Sequence, residues 1–418
     1  MPITLPSVRA LLRNRGATRY YYPAAIRATP TSSTSPLTII HHHHHRRRPQ
    51  FPHRFLSSKS NTMVTKIAVL DDYTDTSPEF FNQLGPNYEV VYFKDTLLPY
   101  NGATTPQAIK DELVKRLEPF EIISTMRERT PFPAELIARL PNLKVFLTTG
   151  HINRAVDMEA MAARGIPVVG ALDTAPGDAD NNLNCTAEHT VAIILGIAHN
   201  IAADCANVHA GGWQTQTKIK LSGKTLGVLG LGRYGIVLAR VFSAAMGMKI
   251  IAWSPNLTQD AADERAQQAG LPVETNGVKT FRAVSKEELF SQSDVLTLHL
   301  PLSERSRGLV SAVDLQRMKP TSFFVNTSRG PIVVEKDLLD ILKQGKIRGA
   351  ALDVFDIEPL PADSEWRTTE WGKNGTSNVL LTPHSAYGED ESMKGFYRQQ
   401  LENIQRLERG EDMLPLLH

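Results

Sequence analysis

The sequence predicts an α/β protein with two domains, each built on a parallel β-sheet, and three observations lead to this prediction. The chain has 418 residues, more than the roughly 250 to 300 that one hydrophobic core usually serves. From Lys66 onwards, segments resembling buried strands alternate with segments of helical spacing, which is typical of right-handed βαβ crossovers. A glycine-rich turn also stands between a strand and a helix near the middle of the chain.

The alternating segments after the first 63 residues indicate one α/β domain, which we place at residues 64–180. The segment TKIAVLDD reads as a buried strand that ends in carboxylates, and YEVVYF and EIISTM read as further strands. Helical spacing is present in TPQAIKDELVKRLEPF, and PAELIARLPNLKVFLTTG contains a short helix followed by a strand. This alternation favours a parallel sheet over an antiparallel one.

The second half predicts another α/β domain, at residues 181–385. After the polar segment DTAPGDADNNLN, we predict one long helix over residues 185–210. Strands follow in TLGVL, DVLTLHLP, SFFVNTSRG, IRGAALDVF and NVLLTPHS. The amphipathic segment EDESMKGFYRQQLENIQRLERG is predicted to form a helix that packs back on the first domain. The first domain would then be discontinuous and completed by residues 386–418.

The glycine-rich turn has the spacing GxGxxG, formed by Gly230, Gly232 and Gly235. It follows the strand TLGVL and opens the helix RYGIVLARVFSAA, which is the context of a dinucleotide-binding Rossmann-like domain. The first glycine allows a tight turn, the second lets the pyrophosphate approach the backbone, and the third lets the helix pack on the strand. The pyrophosphate would lie at the helix amino terminus, beside Arg233 and Tyr234.

The residue that selects between the two nicotinamide cofactors is expected about 20 residues after this turn. An Asp or Glu usually stands there in an NAD site, but this chain has Ser254. Without a carboxylate, the 2′-phosphate of NADP is not repelled, yet no Arg or Lys follows directly to bind it. NAD and NADP therefore both stay open, with NAD slightly favoured.

Three polar residues follow strands of the second half, where open α/β sheets place their ligands. Arg329 lies in NTSRG, Glu358 in DVFDIEP and His384 in LTPHS. A guanidinium can hold a substrate carboxylate or keto oxygen, and an imidazole can donate a proton to that oxygen during reduction. Glu358 can hold the imidazole in one orientation. Together these residue types supply what the reduction of a 2-keto acid requires beside a nicotinamide.

With these motifs in this order, residues 64–415 resemble the D-isomer-specific 2-hydroxyacid dehydrogenase family. The resemblance implies two Rossmann-like domains with parallel sheets and an NAD(P)-dependent reaction between a 2-keto acid and a D-2-hydroxy acid. It implies that Arg329, Glu358 and His384 form a catalytic triad. A homodimer formed through the helix near residues 187–209 is also usual in the family.

The resemblance further implies binding residues outside the triad. The segment TTGHIN would bind the substrate carboxylate through its backbone, around Thr149, Gly150 and His151. Cofactor contacts are implied for the glycines, for Thr190, and for Thr327 and Arg329 near the nicotinamide. Asp353 would contact the carboxamide of the nicotinamide.

Besides Ser254, which replaces the family's frequent acid, the chain departs from the family pattern in two segments. His384 is followed by Ser385, Ala386 and Tyr387, where a glycine often comes early, so the roof of the pocket is expected to differ. An extension, LPADSEWRTTEWGKNGTSN, lies between the acid and histidine motifs. Its tryptophans could line a bulky substrate pocket, although a surface loop or a dimer contact is the favoured interpretation.

Arg127, in STMRERTP after a strand of the first half, is a second candidate for substrate contact. A structural role in a salt bridge is an equally good interpretation of this residue.

The charge of the chain divides between two regions of opposite sign. The whole chain holds 46 Lys and Arg against 44 Asp and Glu, a net charge of +2. Residues 1–70 contain 11 of the basic residues and no acidic one, so residues 71–418 carry a net charge of −9. We expect no nucleic-acid partner from this balance. No apolar stretch reaches the roughly 20 residues of a membrane span, so we expect no membrane partner either.

The basic leader, residues 1–62, is rich in Arg and Ser and free of acids, which is typical of a mitochondrial presequence. We therefore predict a mitochondrial matrix protein. The alternative is a start at Met63, which would leave a cytoplasmic one. The histidines at 41–45 could bind metal, but a low-complexity segment is favoured. Cys185 and Cys205 lack zinc-site spacing and fit a reducing compartment, so no metal site is predicted.

Two rival functions stay open at this point. A dinucleotide-sensing binding protein of the same fold, like the transcriptional co-repressors that resemble this family, could retain the triad. Formate oxidation needs no proton transfer, so it does not account for His384. The substrate itself is not predicted, because the loops of the first domain shape that pocket.

Overall fold

The computed structural model describes residues 64–102, 105–150, 153–172 and 183–417. The leader, with its predicted targeting role and its histidines, lies outside the described residues. His151, which the resemblance places in the substrate loop, also lies outside them.

The first half of the described chain forms a five-stranded parallel sheet in the order β2-β1-β3-β4-β5. The chain order reverses between β1 and β3, so ligand-binding loops are expected where these two strands end. Its elements are β1 (Thr65–Leu70), α1 (Ser77–Phe81), β2 (Tyr88–Phe93), α2 (Gln107–Leu117), β3 (Ile122–Thr125), α3 (Ala134–Ala138), β4 (Val145–Thr148), α4 (Met158–Ala163) and β5 (Val168–Val169).

The second half forms a seven-stranded parallel sheet in the order β10-β7-β6-β11-β12-β13-β14, and a two-stranded antiparallel sheet of β8 and β9. The order of the larger sheet reverses between β6 and β11. Its elements are α5 (Cys185–Ala198), α6 (Ile201–His209), β6 (Thr225–Leu229), α7 (Arg233–Ala244), β7 (Lys249–Trp253), α8 (Gln259–Gln268), β8 (Glu274–Thr275), β9 (Val278–Lys279), β10 (Phe281–Ala283), α9 (Lys286–Gln292), β11 (Val295–Leu298), α10 (Ala312–Leu315), β12 (Phe323–Asn326), a 3₁₀-helix (Gly330–Ile332), α11 (Glu335–Lys343), β13 (Gly349–Leu352), α12 (Glu365–Thr368), β14 (Asn378–Leu381) and α13 (Asp390–Arg409).

The carboxyl-terminal helix α13 packs on the first sheet. Its buried Phe396 and Tyr397 share one hydrophobic core with strand β1, and the ring of Tyr397 meets Phe81 of α1 edge to face, with centroids 6.0 Å apart. Ser124 of β3 donates a hydrogen bond of 2.6 Å to Gln400 of α13. The predicted fold class is therefore confirmed, including the discontinuous first domain. The domain boundaries near residues 180 and 386 stay predictions.

The predicted single helix over residues 185–210 is wrong, because the chain forms two helices bent by 61°. Helix α5 ends at Ala198 and α6 begins at Ile201. Between them Asn200 adopts a φ of +54°, in the left-handed region, which Asn enters more readily than most residues and which stops a right-handed helix. Among the described helices, none is by itself long and apolar enough to cross a membrane. Helices α5 and α6 together have the length and composition of a membrane span, but they form a bent pair.

Candidate active site

The predicted functional residues lie beyond the carboxyl ends of three neighbouring strands. Parallel pairing aligns the last residues of β12, β13 and β14, which are Asn326, Leu352 and Leu381. The residues that follow are therefore brought to one edge of the sheet, where open α/β folds bind their ligands.

His384 and Glu358 form the pair that the sequence predicts. Nδ1 of His384 lies 2.5 Å from Oε2 of Glu358. The other carboxylate oxygen, Oε1, accepts the backbone N–H of Phe355 at 2.8 Å. Because both oxygens are engaged, the carboxylate cannot turn freely, and it holds the imidazole with Nε2 as the nitrogen available to exchange a proton.

The backbone after His384 is held by Asp353, which is fully buried. His384 has a φ of +50°, a conformation that persists only where the surroundings impose it. Asp353 accepts the backbone N–H of Ser385 at 3.0 Å, that of Ala386 at 3.1 Å and the hydroxyl of Thr382 at 2.6 Å. These contacts tie the histidine loop to the end of β13.

Burial alone would raise the pKa of the Asp353 carboxyl. The hydrogen bonds from His189, Thr382 and the two backbone N–H groups outweigh burial, so this pKa lies below its ordinary value. The resemblance implies that Asp353 contacts the nicotinamide. In the structure, both of its carboxylate oxygens already accept hydrogen bonds from the protein. Its contact with a cofactor stays a prediction.

Arg329 lies near this pair but does not line the same cavity. Its Nη2 is 3.8 Å from a carboxylate oxygen of Glu128, which follows β3 of the first sheet, and its Nη1 donates to the carbonyl of Ser328 at 2.7 Å. Its side chain is 39% exposed and open to a ligand. The structure thus joins two members of the predicted triad directly and places the third beside a carboxylate of the first sheet.

A cavity of about 290 Å³ adjoins the His384–Glu358 pair, and residues from both sheets line it. From the loop after β3 come Arg127, Glu128 and Arg129. The second sheet contributes apolar side chains, including Phe355 and Leu381. A largely apolar cleft with a few convergent polar groups is the ordinary form of a small-molecule site.

Arg127, the second candidate for substrate contact, lines this cavity. Its backbone N–H donates to the hydroxyl of Thr149 at 2.9 Å, and its guanidinium lies 4.9 Å from the centre of the Tyr387 ring. Gly150 lies so close that a Cβ there would be 3.1 Å from Nη1 of Arg127. Arg127 thus meets the predicted substrate loop. Among the described residues it forms no salt bridge, and its contact with a substrate stays a prediction.

Tyr387 is a site residue that stands out in the sequence only as a departure from the family pattern. Its ring lies between Arg127 and His384, with the imidazole edge-on at a centroid distance of 6.0 Å. This bulky side chain therefore contacts both residues, in the segment where the resemblance leads us to expect a glycine.

The extension, residues 360–378, lies largely at the surface but is anchored in the core at Trp366, and its tryptophans do not line the cavity. Trp366 is buried, with its ring centroid 6.2 Å from that of Phe355 and 5.8 Å from that of Trp371. The indole N–H of Trp371 donates to the carbonyl of Trp366 at 3.0 Å. The tryptophans anchor the extension in the core, while Leu360 and Arg367 line the cavity. A surface location is therefore wrong for Trp366, whereas Trp371 is only partly buried and a dimer contact of the extension stays a prediction.

The glycine turn has the geometry that a pyrophosphate site requires. Gly230 has a φ of +101°, and a Cβ there would meet the backbone of His299 at 2.9 Å. A Cβ on Gly235 would lie 2.2 Å from the carbonyl oxygen of Gly230, so helix and strand could not pack. Gly232, which caps the 12-residue helix α7, has no atom within 4 Å of such a Cβ. Its open side at a helix amino terminus fits a dinucleotide phosphate.

The other predicted cofactor residues lie around the same edge. The hydroxyls of Thr190 and Thr327 are 2.9 Å apart and buried, and they join α5 to the end of β12. Ser254 directly follows β7 and is half-buried, and Arg233 and Tyr234 begin α7.

His299 is a further strand-end residue and is not among those predicted from the sequence. It follows β11, and its Nε2 lies 2.9 Å from the hydroxyl of Thr297. Burial lowers the pKa of His299 to about 3, so the ring is neutral. In the sequence, the only signal for this residue is its position at the end of the strand in DVLTLHLP. In the structure, its backbone lies directly beside Gly230 of the glycine turn. Within the described part of the chain, no cluster of three or more His, Cys, Asp or Glu side chains could hold a metal ion.

Comparison with known proteins gives matches over most of the described chain. Residues 191–386 match the family model described as "D-isomer specific 2-hydroxyacid dehydrogenase, NAD binding domain". The hydroxypyruvate reductase of Blautia hydrogenotrophica is 29% identical over 310 residues, covering 72% of this chain and 86% of that protein. The glycerate dehydrogenase of Methylorubrum extorquens is 30% identical over 319 residues, covering 74% of this chain and 88% of that protein.

A solved structure matches over a similar extent. The phosphoglycerate oxidoreductase from Vibrio cholerae O395 has a TM-score of 0.68 and 30% sequence identity, covering 82% of this chain and 99% of that one. The chain spans about half the length of some other relatives: it covers 52% of the D-3-phosphoglycerate dehydrogenase of Methanocaldococcus jannaschii, with 33% identity.

Proposed function

Because the chain belongs to the D-isomer-specific 2-hydroxyacid dehydrogenase family, we propose that it interconverts a 2-keto acid and a D-2-hydroxy acid with NAD(H) or NADP(H). The observation that carries this proposal is the His384–Glu358 pair at 2.5 Å, which opens on a cavity at the carboxyl ends of the strands. An acid–base pair in this place serves a reaction in which a carbonyl oxygen gains a proton.

A bound nicotinamide supplies the hydride in reduction and accepts it in oxidation. In the reductive direction, His384 gives the proton from Nε2 to the keto oxygen of the substrate as negative charge develops there. Glu358 keeps Nδ1 protonated and stabilises the imidazolium before the transfer. Arg329 holds the substrate carboxylate or keto oxygen through its guanidinium. Approach of the two sheets around the substrate would exclude water from the proton transfer.

The glycine turn and α7 would hold the pyrophosphate of the cofactor. NAD is the preferred cofactor of the proposal, since no basic residue directly follows Ser254 to bind a 2′-phosphate. Relatives named hydroxypyruvate reductase and glycerate dehydrogenase support a small 2-keto acid as the substrate.

The test is a turnover panel. Purified full-length chain is assayed with NADH and with NADPH against glyoxylate, hydroxypyruvate, phenylpyruvate and branched-chain keto acids. We expect reduction of at least one acid, with a D-2-hydroxy acid as the product. Tight binding of NADH without turnover of any acid would overturn the proposal and favour the dinucleotide-sensing alternative.

We also propose a homodimer. Helix α6 has no buried residue, and its Ile201 and Val208 are 60% and 53% exposed, while the nearby Trp213 is 74% exposed. Such a patch of large apolar side chains favours a protein partner, and a second copy of the chain is the simplest one. Light scattering after size exclusion should give twice the mass of the chain, and a monomer at micromolar concentration would contradict the proposal.

For localisation we propose the mitochondrial matrix, supported by the acid-free, Arg-rich and Ser-rich composition of residues 1–62. A fluorescent protein fused to these residues should be imported into mitochondria. A diffuse cytosolic signal would contradict this and favour a start at Met63.

A further inference from the structure

The cavity beside His384 contains three arginines that form no salt bridge with another described residue. Arg127, Arg129 and Arg367 all line it. The first two guanidiniums lie over aromatic rings, 4.9 Å and 4.3 Å from the ring centroids. Among the described residues, no carboxylate lies within salt-bridge distance of any of the three. Aromatic faces attract a cation without neutralising its charge, so these arginines stay available to an anion.

The two carboxylates that line the cavity interact with groups other than these three arginines. Glu358 is held by His384 and by a backbone N–H, and Glu128 faces Arg329 at 3.8 Å. Three guanidiniums line the cavity, and that of Arg329 lies beside it against Glu128. Even with the imidazole neutral, these four guanidiniums and the two carboxylates leave an excess of two positive charges. A 2-keto acid with a single carboxylate compensates only one of them, so the electrostatics favour a substrate with two anionic groups.

Arg367 is the arginine that the extension adds to this cavity. It lies at the exposed rim, and its Nε and Nη2 donate to the carbonyl of Leu360 at 3.2 and 3.1 Å. Both bonds use the same edge of the guanidinium, which leaves the Nη1 hydrogens for a ligand.

The backbone position of Arg367 is fixed by the two residues that precede it. The preceding Trp366 is buried in the core, and Glu365 forms a salt bridge with Lys343 of α11. The backbone that carries the guanidinium is therefore fixed, as specificity requires of a binding group.

We propose that Arg367 is a specificity-determining residue that binds a second anionic group of the substrate, either a phosphomonoester or a distal carboxylate. Arg127 and Arg129, from the loop after β3, complete this subsite. The inference rests on the proposed function and names its substrate class: 2-keto acids with an anionic group beyond the keto carbon.

The experiment compares paired substrates that differ in one anionic group. The kcat/KM for 3-phosphohydroxypyruvate is divided by that for hydroxypyruvate, and the kcat/KM for 2-oxoglutarate by that for 2-oxopentanoate. Both ratios are measured for the wild type, for Arg367→Met and Arg367→Lys, and for the control Lys373→Met. Lys373 is on the same extension but is paired with Glu370 at the surface, outside the cavity. Thermal unfolding confirms that each variant is folded.

We expect Arg367→Met to lower at least one of the two ratios by about tenfold, because a charge-assisted hydrogen bond is lost. Arg367→Lys should restore part of that ratio and Lys373→Met should leave it unchanged. The ratio that falls identifies the anion as phosphate or carboxylate. Equal ratios in the wild type and Arg367→Met, with hydroxypyruvate or 2-oxopentanoate still reduced, would overturn the inference alone. A wild type that reduces no 2-keto acid would overturn the proposed function as well.

Discussion

The substitution Glu358→Gln changes one hydrogen bond of the site while keeping the shape of the side chain. In the structure, Oε1 of Glu358 accepts the N–H of Phe355 at 2.8 Å, and Oε2 faces Nδ1 of His384 at 2.5 Å. A glutamine must keep its carbonyl oxygen on Phe355, because its NH2 group cannot accept a hydrogen bond. Its NH2 group would then face Nδ1, so an imidazolium would place a donor against a donor.

The expected loss follows from this geometry. A hydrogen bond between charged partners contributes about 1.5 to 3 kcal/mol, and its loss disfavours the imidazolium by that amount. Since about 1.4 kcal/mol corresponds to a factor of ten, reduction of a 2-keto acid should slow by about 10- to 150-fold. Binding of NADH should be unaffected, because neither residue belongs to the glycine turn.

The assay is the steady-state oxidation of NADH at saturating 2-keto acid, with NADH affinity measured separately by fluorescence. Glu402→Gln is the matched control, since Glu402 lies on α13 and contacts Arg406 at the surface. Turnover of Glu358→Gln equal to that of the control would refute the assignment of Glu358 as the group that orients His384.

The remaining predictions concern the cofactor site and the dependence of stability on pH. Gly235→Ala should lower Tm and abolish NADH binding, because its Cβ would lie 2.2 Å from a backbone carbonyl. Gly232→Ala should keep Tm while weakening NADH on the order of tenfold, since only the cofactor would meet the new methyl group; unchanged NADH affinity would contradict the site. Ser254→Asp should lower kcat/KM for NADPH about tenfold and spare NADH; an unchanged ratio would show that this residue does not read the ribose. Burial and the neighbouring Glu335 raise the pKa of Asp356 from 3.8 to about 6. The folded state thus holds this proton more tightly than the unfolded state, so its contribution to stability is lost as pH rises from about 4 to 6. Asp356→Asn should therefore raise Tm at pH 7 but not at pH 4, and an equal rise at both pH values would show that the charge of Asp356 is not what destabilises the folded state.

Much of the site could be predicted because it depends on strand ends. Parallel strands bring their carboxyl ends to one edge, so residues after β12, β13 and β14 had to lie near each other. The pairing of Glu358 with His384 follows from that rule, although the two residues are 26 positions apart. The glycine turn was equally predictable, since each of its glycines stands where a side chain would collide with the backbone or occupy the space left for the cofactor.

Other features had no signal in the sequence. The break between α5 and α6 depends on the φ of one residue, Asn200, within an otherwise helical pattern. The contact of Arg127 with the Tyr387 ring joins residues 260 positions apart, and nothing local in either segment indicates it. The place of Arg367 depends on how the extension folds around Trp366, which hydrophobic spacing alone does not determine.

The central claim is that this chain reduces a 2-keto acid with His384 as the proton donor. The most direct test measures turnover and NADH binding in the same preparations of the wild type and His384→Ala. We expect the wild type to reduce at least one 2-keto acid, and the variant to bind NADH normally while its turnover falls by about 10²- to 10⁴-fold. Near-wild-type turnover in His384→Ala would contradict the claim.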